Sequence, residues 1–278
     1  MLTVYSTYKS FYKKNMFIIN YIREKYHPLF RLFEFRLFRK IYKLKIIYLK
    51  KSKIFGKFFL YLPRGLNLLI NINNFEKETF DFIKTLNYGK KLENTSVIDV
   101  GGNIGMYSFF FKNNYNPNIY LFEPDEDNLI LLFKTKKENK FNNFNIFPFA
   151  VSNKQKISEF LVDDITGFTG TLSSSLNVPQ AILKLDTKKN VICVKLDSFK
   201  DIINKVSWIK IDIEGHEFEA LEGMIELIKR DQPNLIIEVS AKNIDKILKL
   251  LHPLHYKIKK IKKDPNYIFY KQDISNHY

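Results

Sequence analysis

Short apolar runs alternate with longer amphipathic segments from about residue 75 to the end of the chain. Runs of this kind, bounded by Gly, Asn or acidic residues, are typical of strands that are buried in a parallel sheet. Strands are predicted at Ser96–Val100, Asn118–Phe122, Asn145–Ala150, Ser207–Ile213 and Asn234–Val239. The alternation predicts an α/β fold in which helices cover both faces of the sheet.

The segments between these strands have the hydrophobic spacing of helices. Two further apolar runs, Tyr256–Ile261 and Tyr267–Tyr270, are joined by a turn-forming sequence and are predicted to form a terminal pair of strands. Helices are predicted for five segments, namely residues 75–86, a segment from Met106, Asn128–Glu138, about Glu217 to Arg230, and Asn243–Leu251.

Residues 152–206 break this alternation. Ser158–Val162 and Val191–Lys195 are short apolar runs, and Thr166–Ser175 is rich in Gly, Thr and Ser. We interpret residues 152–206 as an insertion beside the sheet, on the side where substrate binds.

Residues 1–65 are predicted to form a basic, aromatic and helical extension of the main domain, which spans residues 66–278. Residues 1–60 hold 15 Lys and Arg against 2 Asp and Glu, so most of the formal net charge of +16 lies there. One or two helices are predicted within residues 10–60, separated at Pro28. Their aromatic residues either pack on the main domain or lie on a membrane surface, with RNA binding as a third alternative.

Composition excludes several classes of protein. At 278 residues and 45% hydrophobic, the chain is long enough for one domain with a sizeable core and an appendage. The single cysteine, Cys193, excludes an intramolecular disulfide and a cysteine-based zinc cluster. Lys and Arg interrupt the apolar stretches, so we expect neither a secretory signal nor a membrane-spanning helix. A cytoplasmic protein is expected, with peripheral membrane contact through residues 1–60.

A glycine-rich turn follows the first predicted strand, in the sequence VIDVGGNIGMYS. The strand ends in Asp99, and Gly101, Asn103 and Gly105 precede a helix whose first N–H groups are free. A dinucleotide site would have the pattern G-x-G-x-x-G, whose third glycine is absent here. An acid before the turn favours a cationic ligand over a diphosphate, and a sulfonium amino acid with a free ammonium meets that demand.

An acidic residue also ends the second predicted strand. Glu123 lies in the sequence YLFEPD, 24 residues after Asp99. At this position of a nucleotide-binding sheet, a carboxylate accepts hydrogen bonds from the hydroxyls of a ribose. Glu123 alone could equally cap a helix, but the glycine-rich turn before it favours the ribose.

The fourth predicted strand runs into the sequence WIKIDIEGHEFEALEG. Asp212 and Glu214 alternate at its end, so their side chains share a face unless the strand has already bent. His216 is a proton acceptor, a residue that orients the site without touching substrate, or a histidine on the surface. Glu238 ends the fifth strand at the same edge of the sheet, and an acid in an apolar strand needs a polar partner.

Together these blocks resemble the FkbM family of S-adenosylmethionine-dependent methyltransferases. The likeness covers about residues 75–239 and includes, in this order, VIDVGGNIGMYS, LFEPD, FAVSN, KIDIEGHEFEALEG and IIEV. It implies a Rossmann-like, seven-stranded class I methyltransferase sheet whose last strand is antiparallel. It also implies O-methylation of a hydroxyl, often on a sugar or a secondary metabolite.

The resemblance also implies how S-adenosylmethionine would bind. The turn Asp99–Gly105 would lie along the methionine part, and Glu123 would bind the ribose. Ala150 and Val151 would lie near the adenine, and Asp212 near the transferred methyl group.

Methyl transfer to a hydroxyl needs a place for the hydroxyl proton, and the candidates are Asp212, Glu214 and His216. A divalent ion held by Asp212 and Glu214 is an alternative, but two carboxylates make a thin metal site and no metal is predicted. The expected acceptor is a small molecule or a glycan rather than nucleic acid. Three other functions stay open: a nicotinamide dehydrogenase, an RNA methyltransferase, and a non-catalytic membrane-surface adaptor that kept the fold.

Overall fold

The computed structural model describes residues 45–62, 65–162, 170–172, 187–239 and 243–271. Two 3-10 turns lie at Leu196–Phe199 and His252–Leu254. The strands and helices are, in chain order, β1 (Ile46–Ser52), β2 (Gly56–Leu62), α1 (Leu66–Asn71), α2 (Lys77–Leu86), β3 (Ser96–Val100), α3 (Met106–Tyr115), β4 (Asn118–Phe122), α4 (Glu126–Asn139), β5 (Phe144–Phe147), β6 (Ala150–Val151), β7 (Lys156–Val162), β8 (Gly170–Leu172), β9 (Thr187–Val194), β10 (Val206–Ile211), α5 (Glu217–Glu222), α6 (Ile225–Asp231), β11 (Asn234–Glu238), α7 (Ile244–Leu251), β12 (Lys257–Lys260) and β13 (Asn266–Tyr270).

A seven-stranded sheet forms the centre of the fold, in the order β12-β13-β11-β10-β3-β4-β5. The strands from β11 to β5 pair in parallel, and β13 runs antiparallel to both of its neighbours. The predicted α/β class I sheet with an antiparallel terminal strand is confirmed. Strands β3 and β4 have the predicted bounds. Every residue of β3 is buried, as expected for a central parallel strand that is covered on both faces.

Helices cover both faces of this sheet. On one face, α2, α3 and α4 pack around the consecutive buried phenylalanines 109–111. On the other face, α5, α6 and α7 contribute Leu221, Leu227 and Ile247 to a second apolar layer. Within the described ranges, none of the helices has the length and apolar composition that crossing a membrane requires.

The predicted insertion forms a second, four-stranded sheet in the order β6-β9-β7-β8. Its first strand lies only two residues beyond β5, although the third strand of the central sheet was predicted to run without a break over Asn145–Ala150. That prediction is wrong, because the pairing with β4 ends at Phe147 and is followed directly by Pro148, whose ring restricts the backbone. The chain turns there, and β6 pairs in parallel with β9.

Part of the predicted helical extension is instead a β-hairpin. Strands β1 and β2 pair in antiparallel register, from Ile46 opposite Leu62 to Ser52 opposite Gly56. The helix prediction is wrong here because Phe58 and Leu60, two residues apart, are both buried in the core of the main domain. The run of five consecutive aromatic and leucine residues at 58–62 hides that period of two. The hairpin therefore belongs to the domain predicted to start at residue 66, while residues 10–44 lie outside the described residues.

The helix predicted from Glu217 to Arg230 is divided into α5 and α6. Gly223 ends α5, and a Cβ at this position would overlap the carbonyl oxygen of Ser152. The close contact with the chain beyond β6 explains both the glycine and the break.

Phe58→Ala tests whether the hairpin is part of the core. Phe58 is fully buried, so the substitution should lower the free energy of unfolding by about 3–5 kcal/mol. Phe133→Ala is the control, because Phe133 lies on α4 and is 52% exposed. Urea denaturation measures both variants, and similar small losses would show that the hairpin does not support the core.

Candidate functional site

Backbone hydrogen bonds continue beyond the ends of four neighbouring strands. The N–H of Asp212 donates to the carbonyl of Val100 at 3.0 Å, and the N–H of Gly101 donates to Phe122 at 2.9 Å. The N–H of Glu123 in turn donates to the carbonyl of Phe147 at 3.1 Å. The residues that follow β10, β3 and β4 are thereby held side by side at the carboxyl edge of the sheet, where open α/β folds bind ligands.

The glycine-rich turn after β3 needs its glycines. Gly101 has φ +74° and Gly105, which caps α3, has φ +89°. A Cβ on Gly101 would overlap the carbonyl oxygen of Asp212. Asn103 also has positive φ, at +50°, and Asn is one of the few other residue types that adopts it readily. The close approach of two strand ends requires a glycine at position 101, and the positive φ angles explain the two glycines and the asparagine of this turn.

One cavity, here called the first cavity, lies over β4 and the small sheet. Its walls include Glu123, Asp125, Ala150 and Val151, as well as Phe160 of β7. The predicted ribose and adenine residues are thus brought together. The small sheet also contributes a wall that the sequence did not assign to this part of the site.

Glu123 is buried and anchored at both carboxylate oxygens. Oε2 accepts a hydrogen bond from the N–H of Asn103 at 2.7 Å, and Oε1 accepts one from the N–H of Asp125 at 2.8 Å. Burial raises its pKa to about 7, although these two hydrogen bonds act in the opposite direction. The side chain of Asn128 donates a further hydrogen bond to this carboxylate, and the lone pairs that remain can accept hydrogen bonds from ribose hydroxyls.

A second cavity lies against the glycine-rich turn and α3. Its lining includes Asp99, Gly102 and Met106, and it shares Gly101, Asn103 and Asp212 with the first cavity. The side chain of Asp99 is fixed at the wall of this cavity, because Oδ2 accepts hydrogen bonds from the N–H and hydroxyl of Ser108, at 3.1 and 2.6 Å. Burial raises the pKa of Asp99 to about 6.

A buried polar network at the base of the second cavity was missed by the sequence analysis. Lys210 donates to Oδ1 of Asn266 at 3.0 Å, and Nδ2 of Asn266 donates to Glu76 at 2.6 Å. The hydroxyl of Tyr107 also donates to Glu76. These residues come from four distant parts of the chain. The one signal in the sequence was a lysine within the otherwise apolar run of β10.

The loop after β10 carries the candidate proton acceptors Asp212 and Glu214. Their predicted alternation on one face does not apply, because β10 ends at Ile211 and Glu214 has φ +53°. Burial, together with the charge of Asp212, raises the pKa of Glu214 to about 7. The same two causes raise the pKa of Glu238, at the end of β11, to about 8. Three carboxyl groups therefore interact at this edge.

His216 lines the first cavity but is otherwise buried. Its Nε2 lies 2.9 Å from Oγ of Ser152, and its Nδ1 lies 3.6 Å from Glu219. Burial lowers the pKa of His216, which favours the neutral ring at physiological pH. The ring is thus held in place by the residue that follows β6.

The alternative of a metal site finds no further support. In the part of the chain that the structure describes, no three His, Cys, Asp or Glu side chains are grouped so that they could hold a metal ion. A divalent ion at Asp212 and Glu214 would have no third ligand from the described side chains of these types.

A sequence model of the FkbM methyltransferase domain matches residues 99–258, which is more than half of the chain. The chain belongs to the FkbM methyltransferase family. The match spans the glycine-rich turn, the first cavity and the loop after β10. No curated protein matches the sequence.

Solved structures of methyltransferases resemble this FkbM methyltransferase at low identity. The FkbM methyltransferase of Methylobacillus flagellatus is 18% identical, with a TM-score of 0.44 over 74% of this chain and 60% of that one. TYW2 of M. jannaschii, in complex with AdoMet, is 14% identical, with a TM-score of 0.42 over 81% of this chain and 84% of its own. The chain therefore spans less than two thirds of the first of these proteins.

S-adenosylmethionine is the cofactor of this FkbM methyltransferase, and the residues of the two cavities fit it. The carboxylate of Glu123 can accept hydrogen bonds from ribose hydroxyls, and Ala150 and Val151 offer apolar surface of the kind that an adenine ring needs. Asp99 and Asp212 supply carboxylates on the side of the glycine-rich turn. These complement the ammonium and the sulfonium of the methionine part.

Gly101→Ala tests the close approach of the strand ends. The added methyl group would overlap the carbonyl of Asp212 at a φ of +74°, so a loss of about 3–4 kcal/mol in unfolding free energy is expected. Gly89→Ala is the matched control, with φ +69° and nothing within 4 Å of its Cβ. Gly89→Ala should lower the free energy of unfolding by only about 1–2 kcal/mol, which is the strain of an alanine in left-handed backbone. Equal losses in urea denaturation would contradict the close approach.

Glu123→Gln tests the ribose assignment through pH. Glu123 loses its proton near pH 7, and an ionised carboxylate is the stronger acceptor for ribose hydroxyls. The affinity for S-adenosylhomocysteine should therefore rise up to about tenfold between about pH 6 and pH 8. Calorimetry should show a smaller rise for Glu123→Gln, whereas Glu126→Gln, at an exposed position of α4, should keep the full rise. An unchanged profile in Glu123→Gln would remove the assignment.

Proposed function

We propose that this FkbM methyltransferase transfers a methyl group to a hydroxyl oxygen of a sugar, a glycan or a related metabolite. The observation that carries the proposal is the position of Asp212, which lines both cavities where they meet, with Glu214 lining the first cavity beside it. A hydroxyl is a poor nucleophile until its proton has somewhere to go, and carboxylates at this junction can accept it.

When bound, S-adenosylmethionine supplies a methyl group that is already activated for displacement. The hydroxyl oxygen of the acceptor forms a bond to the methyl carbon as the carbon–sulfur bond breaks, and the electron pair of that bond stays on sulfur. Asp212, Glu214 or His216 accepts the hydroxyl proton. The protein otherwise contributes position, because two reactants held in line gain most of the available rate enhancement.

The charges where the two cavities meet favour a neutral, hydroxyl-rich acceptor over RNA. Carboxylates predominate among the charged lining residues of both cavities, and Lys210 is the one Lys or Arg among them. Carboxylates accept hydrogen bonds from the hydroxyls of a sugar, but they repel the phosphates of a nucleic acid backbone. This supports the sugar or glycan class, with RNA as the alternative acceptor.

Transfer from labelled S-adenosylmethionine to a panel of glycans, small hydroxyl compounds and RNA tests the proposal. Asp212→Asn, Glu214→Gln and His216→Gln are made singly, and loss of the base should lower kcat by about 10²–10⁴-fold. Glu226→Gln, at an exposed position of α6, is the control. Activity should also rise through about pH 7 if Glu214 accepts the proton, because its carboxyl must first ionise.

Two outcomes would contradict the proposal. Full turnover with all three residues altered would exclude them as proton acceptors. Labelling of RNA in preference to every hydroxyl compound of low molecular weight and every glycan would favour the alternative acceptor.

A further inference from the structure

Lys210 is a buried cation whose hydrogen-bonding capacity is only partly used. The side chain is 2% exposed, and its ammonium carries three N–H donors. Among the described residues it makes one hydrogen bond, to Asn266 at 3.0 Å. Asp212 Oδ2 lies 3.6 Å away, which is too far for a hydrogen bond, and the ring of Tyr107 lies 5.0 Å away.

Lys210 stays charged because acidic residues surround it. Burial lowers its pKa, but the carboxylates of Asp212, Glu76, Glu238 and Asp99 together outweigh burial, and the pKa is raised overall. A buried ammonium with unused donors is costly unless a further acceptor is bound. Lys210 therefore has a positive charge and unused N–H donors with which it can bind an anionic group.

Among the side chains that line the second cavity, one carries a positive charge that can attract an anion. Its lining carries three acidic side chains, Glu76, Asp99 and Asp212, and Lys210 is the one cation among the lining residues. Because Glu123 assigns the adenosine to the first cavity, the amino-acid end of the cofactor falls in the second. That end has a carboxylate as well as an ammonium, and the acidic side chains attract the ammonium but repel the carboxylate.

We propose that Lys210 binds the carboxylate at the amino-acid end of S-adenosylmethionine, while Asp99 and Asp212 face its ammonium. The inference rests on the proposed function, because it assumes that S-adenosylmethionine occupies the two cavities. Lys210 is in this respect a cofactor-binding residue, because it recognises a part of the cofactor that takes no part in methyl transfer.

The alternative is that Lys210 only neutralises the neighbouring carboxylates and holds the fold together. A merely structural role would weaken the binding of all cofactor analogues to a similar extent when Lys210 is replaced. Recognition of the carboxylate would instead affect only analogues that carry one. Decarboxylated S-adenosylmethionine, which keeps the sulfonium and the amine, separates the two roles.

Calorimetry with S-adenosylmethionine and its decarboxylated form tests the proposal on the full chain. The wild-type protein should bind the cofactor at least about tenfold more tightly than the decarboxylated form. Lys210→Met should lose about 10- to 100-fold in affinity for the cofactor, as expected for one charge-assisted hydrogen bond, and bind both ligands within about twofold of each other. Lys112→Met is the matched control, since Lys112 is a buried lysine that donates to the carbonyl of Pro117.

Three outcomes would overturn the inference. The first is a wild-type protein that binds both ligands equally, which decides the matter even if Lys210→Met does not fold. The second is a Lys210→Met variant that keeps the wild-type preference for the carboxylate. The third is an equal loss for both ligands in that variant. Failure of the wild-type protein to bind either ligand would instead contradict the proposed function itself.

Discussion

The backbone at one glycine lies so close to the neighbouring strand that no side chain fits between them, and the functional residues are arranged around that contact. A Cβ at Gly101 would overlap the carbonyl of Asp212, while the N–H of Asp212 donates to Val100. This approach brings the turn after β3 and the loop after β10 together at one edge of the sheet. Both cavities contain residues from each, so the proposed cofactor binding and the proposed proton acceptance depend on the same backbone contact.

The parts of the site that the sequence predicted are those with local signals. Glycines after an apolar run mark the turn at Gly101, and an acid at the next strand end marks Glu123, because both follow from neighbouring residues. The network of Glu76, Lys210 and Asn266 could not be predicted in this way. Its members are far apart in the chain, and their contacts depend on how α2 and β13 pack against β10.

The same distinction explains the errors in the fold. The central strands have continuous apolar runs, so their bounds were recovered to within two residues except at β5, which ends just before Pro148. In the hairpin, aromatic residues follow one another without a clear period, and burial of Phe58 and Leu60 against α4 decides the structure. Propensity and periodicity describe a segment, whereas the surface it packs on is a property of the whole domain.

The chain passes from the central sheet to the small sheet at Pro148, and this connection limits which segments can be deleted without loss of the first cavity. Strand β6 follows β5 after two residues and pairs with β9. The small sheet is therefore continuous with the central sheet and is not an independent insertion. A deletion of residues 156–194 would strip Ala150 and Val151 of their partner strand and open the wall at Phe160. The small sheet and this wall of the first cavity are therefore retained or lost together.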